Sequence, residues 1–331
     1  MTQYPDAIRT VRWMVRDTFR QSVATKLFWA MLGLTALCAL FCLGMTVDAP
    51  PDRKRHPDEL PTYMPKGEAT PEVIAEGIRV AEGKVTLGFG LFSYPITKSK
   101  DDAVRVVLLW LAGVVADTAG VLLALLWTAG FLPTFLEPQA VTVLLAKPAP
   151  RWAVLAGKYL GVVVFVSLQA TVFVGATWFA TGAATGVWDG AYWVAVPLLV
   201  INFAVFYAVS AMLAVWTRST VVSVFGAVLF WVLCWATNYT QHRLAMTTVP
   251  GSTRAATTLL SAAYWTLPKP LDMGGVFFDA MKAENYAAPV PELVAAKARG
   301  DFHPGLAVVT SLAFAAAVLA VAGYEFRHMD Y

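Results

Sequence analysis

The residue in this sequence best placed to do chemistry is Asp117, in Ala116-Asp-Thr-Ala-Gly120, a carboxylate in the middle of a long apolar run. At membrane depth a carboxylate costs several kcal/mol unless it is paired or protonated, so it is a functional candidate by default. It reads as part of a substrate path, a gate or a proton relay, or else as a plain polar contact with Thr118 or a neighbouring helix. Gln169 and Asn202 are further polar side chains in the middle of apolar runs and are the candidate partners. Metal chemistry is not expected: His56, His242, His303 and His328 are scattered without ligand spacing, and the methionines are dispersed. Cys38 and Cys42 share a helix face at i,i+4, and all three cysteines, Cys234 included, sit in apolar runs. They read as small apolar residues rather than as a disulfide or half a metal site. The sequence contains no Gly-x-x-x-x-Gly-Lys-Ser/Thr phosphate loop; the nearest string, Glu82-Gly83-Lys84-Val85, lacks the first glycine. With no Ser/His/Asp set visible either, no catalytic, cofactor-binding or metal residue is expected on this chain.

The elements that position these residues follow from composition. Of 331 residues, 58% are hydrophobic and 14% charged, with a mean hydropathy of +0.59. Ordinary soluble domains carry about 25% charged residues, so too few polar side chains exist to coat soluble globules. The net charge of +3 gives no case for nucleic-acid binding. An all-α integral membrane protein is expected. A helix needs about 20 apolar residues to cross the hydrocarbon core, and six runs qualify: Leu27–Val47, Val104–Leu132, Trp152–Thr181, Tyr192–Trp216, Thr220–Asn238 and Gly305–Tyr324. They are continuous rather than alternating, which excludes barrel strands.

Orientation is read from Lys and Arg in the short connections. Arg9, Arg12, Arg16, Arg20 and Lys26 precede the first span. Lys147, Arg151 and Lys158 lie around the connection between spans two and three, residues 133–151, and Arg218 lies between spans four and five. The connection between spans three and four holds Asp189 and no base. Both termini, including the tail 325–331, are therefore expected in the cytoplasm of a bacterial-type inner membrane. Residues 48–103 and 239–304 become extracytoplasmic loops, expected to form a small α/β region. A cleaved signal peptide is not expected, because the basic segment is long and Val47-Asp48-Ala49-Pro50 is a poor cleavage site. In the first loop, Pro50–Pro71 reads as irregular, and Gly77–Phe92 as a hairpin around Glu82-Gly83. A hairpin alone is marginal in water, so it should pack on the second loop or a partner. In the second loop, Ser252–Trp265 and Val276–Asn285 read as short helices separated by Leu267-Pro-Lys-Pro270.

Two cytoplasmic segments carry further information. In residues 1–26, Ile8, Val11, Val15 and Phe19 share one helical face and Arg9, Arg12, Arg16 and Arg20 the adjacent one. That pattern describes an amphipathic helix in the membrane interface with its arginines near lipid phosphates. Between spans two and three, Phe131–Lys158 is far longer than a turn and still half apolar. Glu137, Pro138 and Gln139 read as the first turn of a short helix; Lys147-Pro148 ends it, and a new helix starts at Arg151. The result is a rigid elbow on the inner surface, able to receive force from outside the membrane.

This elbow resembles that of type-2 ATP-binding-cassette exporter permeases, in which an acid, a short turn, a Leu-Leu pair, Pro-x-x-Arg and Gly-Lys lead into a span. The matching residues are Glu137, Thr142, Leu144, Leu145, Pro148, Arg151, Gly157 and Lys158; Ala140 departs from the usual glycine. The six-span plan, the Arg-rich start and the Glu325–Tyr331 tail are similar to the same family, most of all to the branch of permease components linked to multicopper-enzyme maturation. The resemblance implies a half-transporter that pairs with a second permease chain, identical or related. It also implies that each half rests on a separate cytoplasmic cassette ATPase, which binds the ATP and magnesium, while this chain carries no cofactor. The elbow residues and the amphipathic helix would then couple to the ATPase. Two other readings stay open: an ion-coupled secondary transporter using Asp117, and a non-transporting membrane assembly factor whose outer loops bind an exported enzyme. The substrate is not legible in the sequence.

Overall fold

The computed structural model describes residues 3–48, 83–96, 99–128, 130–135, 150–246, 254–287, 291–300 and 302–328. Among them, five helical stretches are long and apolar enough to cross a bilayer: Lys100–Pro133, Arg151–Thr185, Gly190–Thr217, Thr220–Leu244 and Pro304–His328. A sixth is made by Ala7–Ala24 and Phe28–Leu43 if that pair, bent by 69°, counts as one span. The bend has a local cause. Thr25 is extended (φ −78°, ψ 141°), ending α1 (Gln3–Ala24) and preceding α2 (Lys26–Leu43). Its hydroxyl and backbone N–H both donate to the Ser22 carbonyl, closing the end of α1.

Beyond α2 the chain forms a three-stranded antiparallel sheet of β1 (Thr46–Asp48), β2 (Gly83–Leu87) and β3 (Phe92–Ile96), in that order. The hairpin is therefore present but displaced from the expected turn. Gly83 lies in β2, and the reversal is at Gly88–Leu91, where Gly88, Phe89 and Gly90 all have positive φ. Gly88 and Gly90 supply the left-handed backbone that the reversal needs, while Gly83 opens a strand. The hairpin packs on β1 and on the end of α2, through Phe41 and Phe92, rather than standing alone. Pro50–Pro71 and residues 77–82 lie outside the described residues.

The second span is composite: α3 (Lys100–Trp110), a π-helical segment (Leu111–Gly120), and α4 (Val121–Thr128), with α5 (Phe131–Phe135) following. Helix α6 (Arg151–Thr185) begins after Pro150 and stops at Gly186, whose left-handed φ of 78° lets its N–H reach the Gly182 carbonyl. Its 35 residues make it about 52 Å long at ~1.5 Å per residue. That exceeds a ~30 Å hydrocarbon core, so part of it projects beyond the membrane. A short 3-10 turn leads into α7 (Ala195–Thr217), the most buried span, with Phe203, Phe206, Tyr207, Ala208, Ala211 and Ala214 inaccessible. Tyr159, Tyr207 and Phe203 stack in series in this core. Arg218, left-handed at φ 51°, turns the chain into α8 (Thr220–Met246).

The second long loop folds as α9 (Arg254–Thr266), α10 (Pro270–Ala280) and α11 (Pro291–Arg299), and α12 (Pro304–His328) closes the bundle. The break at Leu267–Pro270 is where the prolines place it. The second short helix starts six residues before the expected Val276, because Pro270 suits a first helical turn better than a linker. Two contacts mark opposite faces of the bundle. On one, the Arg105 Nε donates to Asp189 Oδ2 at 2.9 Å. On the other, the Arg151 guanidinium donates to the Arg327 carbonyl at 3.2 Å, joining the start of α6 to the end of α12.

Candidate functional site

On the Arg151 face, α1 lies along the first turns of α6. Gly157 and Gly161, one turn apart, make the close approach possible. A Cβ on Gly157 would sit 2.8 Å from Met14 Cβ and 3.1 Å from Val11 Cα; one on Gly161 would sit 2.8 Å from Thr18 Cβ and 3.2 Å from Val15 Cα. The buried ridge of α1 is thus Ala7, Met14, Thr18 and Ser22. Of the apolar face, Val11, Val15 and Phe19 border this contact half-buried, Phe19 against Phe165 of α6, while Ile8 is 70% exposed. The approach is close because the two glycines of α6 carry no side chain, so Met14 and Thr18 of α1 close directly on its backbone. Arg9, Arg12, Arg16 and Arg20 are all exposed on the far side. Lys158 is buried against α1, donating to Gln21 Oε1 at 2.6 Å with Asp17 Oδ2 at 3.9 Å, and Gln21 in turn donates to Asp17. Of the elbow residues, Arg151, Gly157 and Lys158 therefore belong to the α1–α6 junction. Glu137, Thr142, Leu144, Leu145 and Pro148 lie outside the described residues.

Asp117 sits in the π-helical segment, where Ala112, Gly113, Ala116, Ala119 and Gly120 are small enough to allow the widened turn. The Val121 N–H reaches the Ala116 carbonyl, and the Thr118 hydroxyl donates to the Gly113 carbonyl, both five residues back. Widened turns of this kind favour functional positions. The Asn202 amide, on α7 and 1% exposed, donates to Asp117 Oδ1 at 2.7 Å. The other expected partner, Gln169, is engaged elsewhere: it donates to the Thr35 hydroxyl at 3.3 Å, because its side of α6 faces α2 while Asp117 faces α7. Thr35 and Gln169 line a groove of about 110 Å³ between α2, the π segment, α4, α6 and α7; its other walls include Ala119, Gly120, Trp127 and Phe203. It is almost wholly apolar, suited to a hydrocarbon chain or ring rather than to an ion. A double-mutant cycle on Asp117→Ala and Asn202→Ala, scored by unfolding in detergent, should return a coupling of about 1 kcal/mol, within the range for hydrogen bonds between membrane helices. A coupling indistinguishable from zero would dissolve the pair.

Sequence reading missed a third cluster, on the Asp189 face. Asp272, 3% exposed, accepts from the Tyr264 hydroxyl at 2.6 Å and from the Asn238 amide at 3.2 Å, and pairs with His242 Nε2 at 2.6 Å. Asn238 Oδ1 accepts the backbone N–H groups of Leu271 and Asp272, capping α10 from a different helix. That cap is needed because the residue before the helix, Lys269, has no acceptor to offer. Lys269 is itself buried; its ammonium donates to the Thr310 hydroxyl at 2.9 Å and lies over the Tyr264 and Trp265 rings. Burial draws its pKa down from the ordinary lysine value, partly offset by the nearby Asp272. The Asn238…His242 spacing at one end of an apolar run is the signal of this cluster in the sequence. Among the described residues, no group of three or more His, Cys, Asp or Glu is placed to hold a metal. His303 instead lies beside Trp265, and His328 contacts the Tyr324 carbonyl.

A bundle of apolar helices long enough to cross a membrane and an Arg-rich helix packed on the start of the longest of them describe a multi-pass membrane protein. The profile of ABC-2 family transporter proteins matches residues 12–267, from near the middle of α1 to the break after α9. No curated protein matches the chain. The chain belongs to the ABC-2 transporter family, as a multi-pass membrane permease component of an ABC transporter.

Proposed function

We propose that this chain is the permease half of an exporter, paired with a second permease chain and driven by a separate cytoplasmic cassette ATPase that binds ATP and magnesium. On this reading the Arg151 face is cytoplasmic, both termini lie inside, and the membrane is a bacterial-type inner membrane. The observation that carries the reading is the α1–α6 junction. Because Gly157 and Gly161 bring the two backbones together, α1 and the projecting end of α6 move as one lever. The elbow joins that lever, so force applied to Glu137, Thr142, Leu144, Leu145 or Pro148 would pass along α6 to the wall of the membrane groove. Such a push can shift an inward-facing state to an outward-facing one only if the ATPase holds the two states with different free energies.

The test is purification of tagged chain from its native host in mild detergent. A stoichiometric ATPase should co-purify and be lost on Glu137→Ala or Arg151→Ala. Absence of any ATPase, with transport that follows an ion gradient and stops in Asp117→Asn, would overturn this reading in favour of an ion-coupled transporter. Function that survives loss of the ATPase but not deletion of residues 50–93 would mark an assembly factor.

A further inference from the structure

We propose that the turn between β2 and β3 is a wedge inserted in the bilayer leaflet on the Asp189 side, with Phe89 and Leu91 as its lipid-contacting residues. The strand register sets its direction. Strand β1 leaves the end of α2, with Thr46 opposite Thr86 and Asp48 opposite Lys84. Antiparallel β2 must then run back toward the end of α2, and the turn at Gly88–Leu91 lies there. Hydrogen bonds fix the depth: the Gly88 N–H donates to the Phe41 carbonyl and the Phe89 N–H to the Gly44 carbonyl. The turn is thus level with the last turn of α2.

The length of α2 places that level within the bilayer boundary. Its 18 residues extend about 27 Å at ~1.5 Å per residue, slightly less than a hydrocarbon core of ~30 Å. A span that short is immersed over its whole length. Cys42, near its end, packs with Ala180, close to the corresponding end of α6. The surface chemistry agrees with this depth. Phe89 is 73% exposed and Leu91 79%, and Leu37 and Leu40 on α2 are exposed as well. From Val85 to Ile96 the hairpin carries no charge, whereas Lys84 and Asp48 stand opposite one another at its far end. Phe89 also occupies a left-handed backbone, φ 59°, flanked by two glycines that do the same. Glycine or asparagine would adopt this conformation with less strain than a bulky aromatic. One edge of the ring lies over Gly44 at the end of α2, where a Cβ would stand 2.7 Å from Phe89 Cδ2, and the surface left exposed is accounted for by a nonpolar medium at that position. The inference needs only that α2 crosses the membrane; it does not depend on an ATPase.

The experiment uses the full chain with Cys38, Cys42 and Cys234 replaced by alanine, and Leu91→Cys labelled with an environment-sensitive fluorophore. The protein is placed in nanodiscs of phosphatidylcholine and phosphatidylglycerol, with or without a nitroxide near the top of the acyl chain. Insertion predicts blue-shifted emission and about a twofold loss of intensity with the nitroxide lipid, while the same label on Lys84→Cys at the far end of the hairpin is unaffected. Phe89→Cys, labelled in the same way, serves if Leu91→Cys does not fold and must give the same quenching. Quenching no greater than at Lys84 overturns the proposal. Blue-shifted emission without lipid quenching overturns it as well, because it assigns the turn to a protein contact such as a second copy of the chain.

Discussion

Gly161→Leu is expected to separate α1 from α6 and to destabilise the protein by about 3 kcal/mol, at the upper end of the usual cost of overpacking a tight interface. The size follows from what the new side chain meets. Its Cβ alone would stand 2.8 Å from Thr18 Cβ, 2.9 Å from Thr18 Oγ1 and 3.2 Å from Val15 Cα. The threonine hydroxyl is bonded to the Met14 carbonyl, and the valine contact is backbone. Neither can swing aside as a long flexible chain would. The helices must part, and the contacts of buried Lys158 with Gln21 and Asp17 open with them. Two measurements follow this: the melting temperature in detergent, and the mobility of a nitroxide on exposed Arg12→Cys, which should rise sharply in the variant. Gly161→Ala should show a smaller effect, relieved in part by Thr18→Gly. Gly33→Ala is the contrasting control, because a Cβ there meets nothing within 4 Å. It should be neutral or stabilise α2 by up to ~1 kcal/mol through reduced backbone freedom in the unfolded chain. Unchanged melting and mobility in Gly161→Leu would exclude the junction and, with it, the lever on which the coupling proposal rests.

Asp272→Ala is expected to cost about 3–5 kcal/mol, the usual consequence of removing one partner from a buried charged network. Three polar groups lose their acceptor together: the Tyr264 hydroxyl, the Asn238 amide and His242 Nε2. Water does not readily replace it, since Tyr264, Asn238 and His242 are all buried. The loss should be local. Amide hydrogen exchange across α9 and α10 should accelerate by orders of magnitude, while the helicity of the spans stays intact by circular dichroism. Tyr264→Phe removes a single bond and should cost only about 1–2 kcal/mol. If exchange in α9 and α10 is the same in Asp272→Ala as in the parent chain, the cluster does not hold these helices.

Much of the architecture was legible without coordinates because the cost of placing polar backbone and side chains in hydrocarbon is large and local. Apolar runs long enough to cross a membrane, and proline breaks such as Leu267–Pro270, follow from composition along the chain. The hairpin was legible as β-prone sequence, yet its turn was misplaced. Glu82-Gly83 looks like a turn pair in isolation, while the left-handed positions that reverse the chain are Gly88, Phe89 and Gly90. The buried ridge of α1 was not legible. Hydrophobic periodicity marks Ile8, Val11, Val15 and Phe19 as an apolar face, whereas the side chains that become buried are Ala7, Met14, Thr18 and Ser22, and of these Met14 and Thr18 meet Gly157 and Gly161.

The sequence by itself determined that this is a multi-pass helical membrane protein and that its basic residues gather in alternate short connections, and it carries between its second and third spans a half-apolar stretch that resembles the elbow of ABC-transporter permeases. Each of these depends on the chemistry of consecutive residues. Tertiary structure alone decided the partnerships: Asn202 rather than Gln169 for Asp117, Asn238 as the cap of a helix that begins 32 positions later at Pro270, and α1 against the glycines of α6. Those depend on the rotation and depth of each helix about its own axis. The π-helical segment, the lengths of α2 and α6 and the fit of small residues fix that rotation and depth, and hydropathy along the chain does not record them.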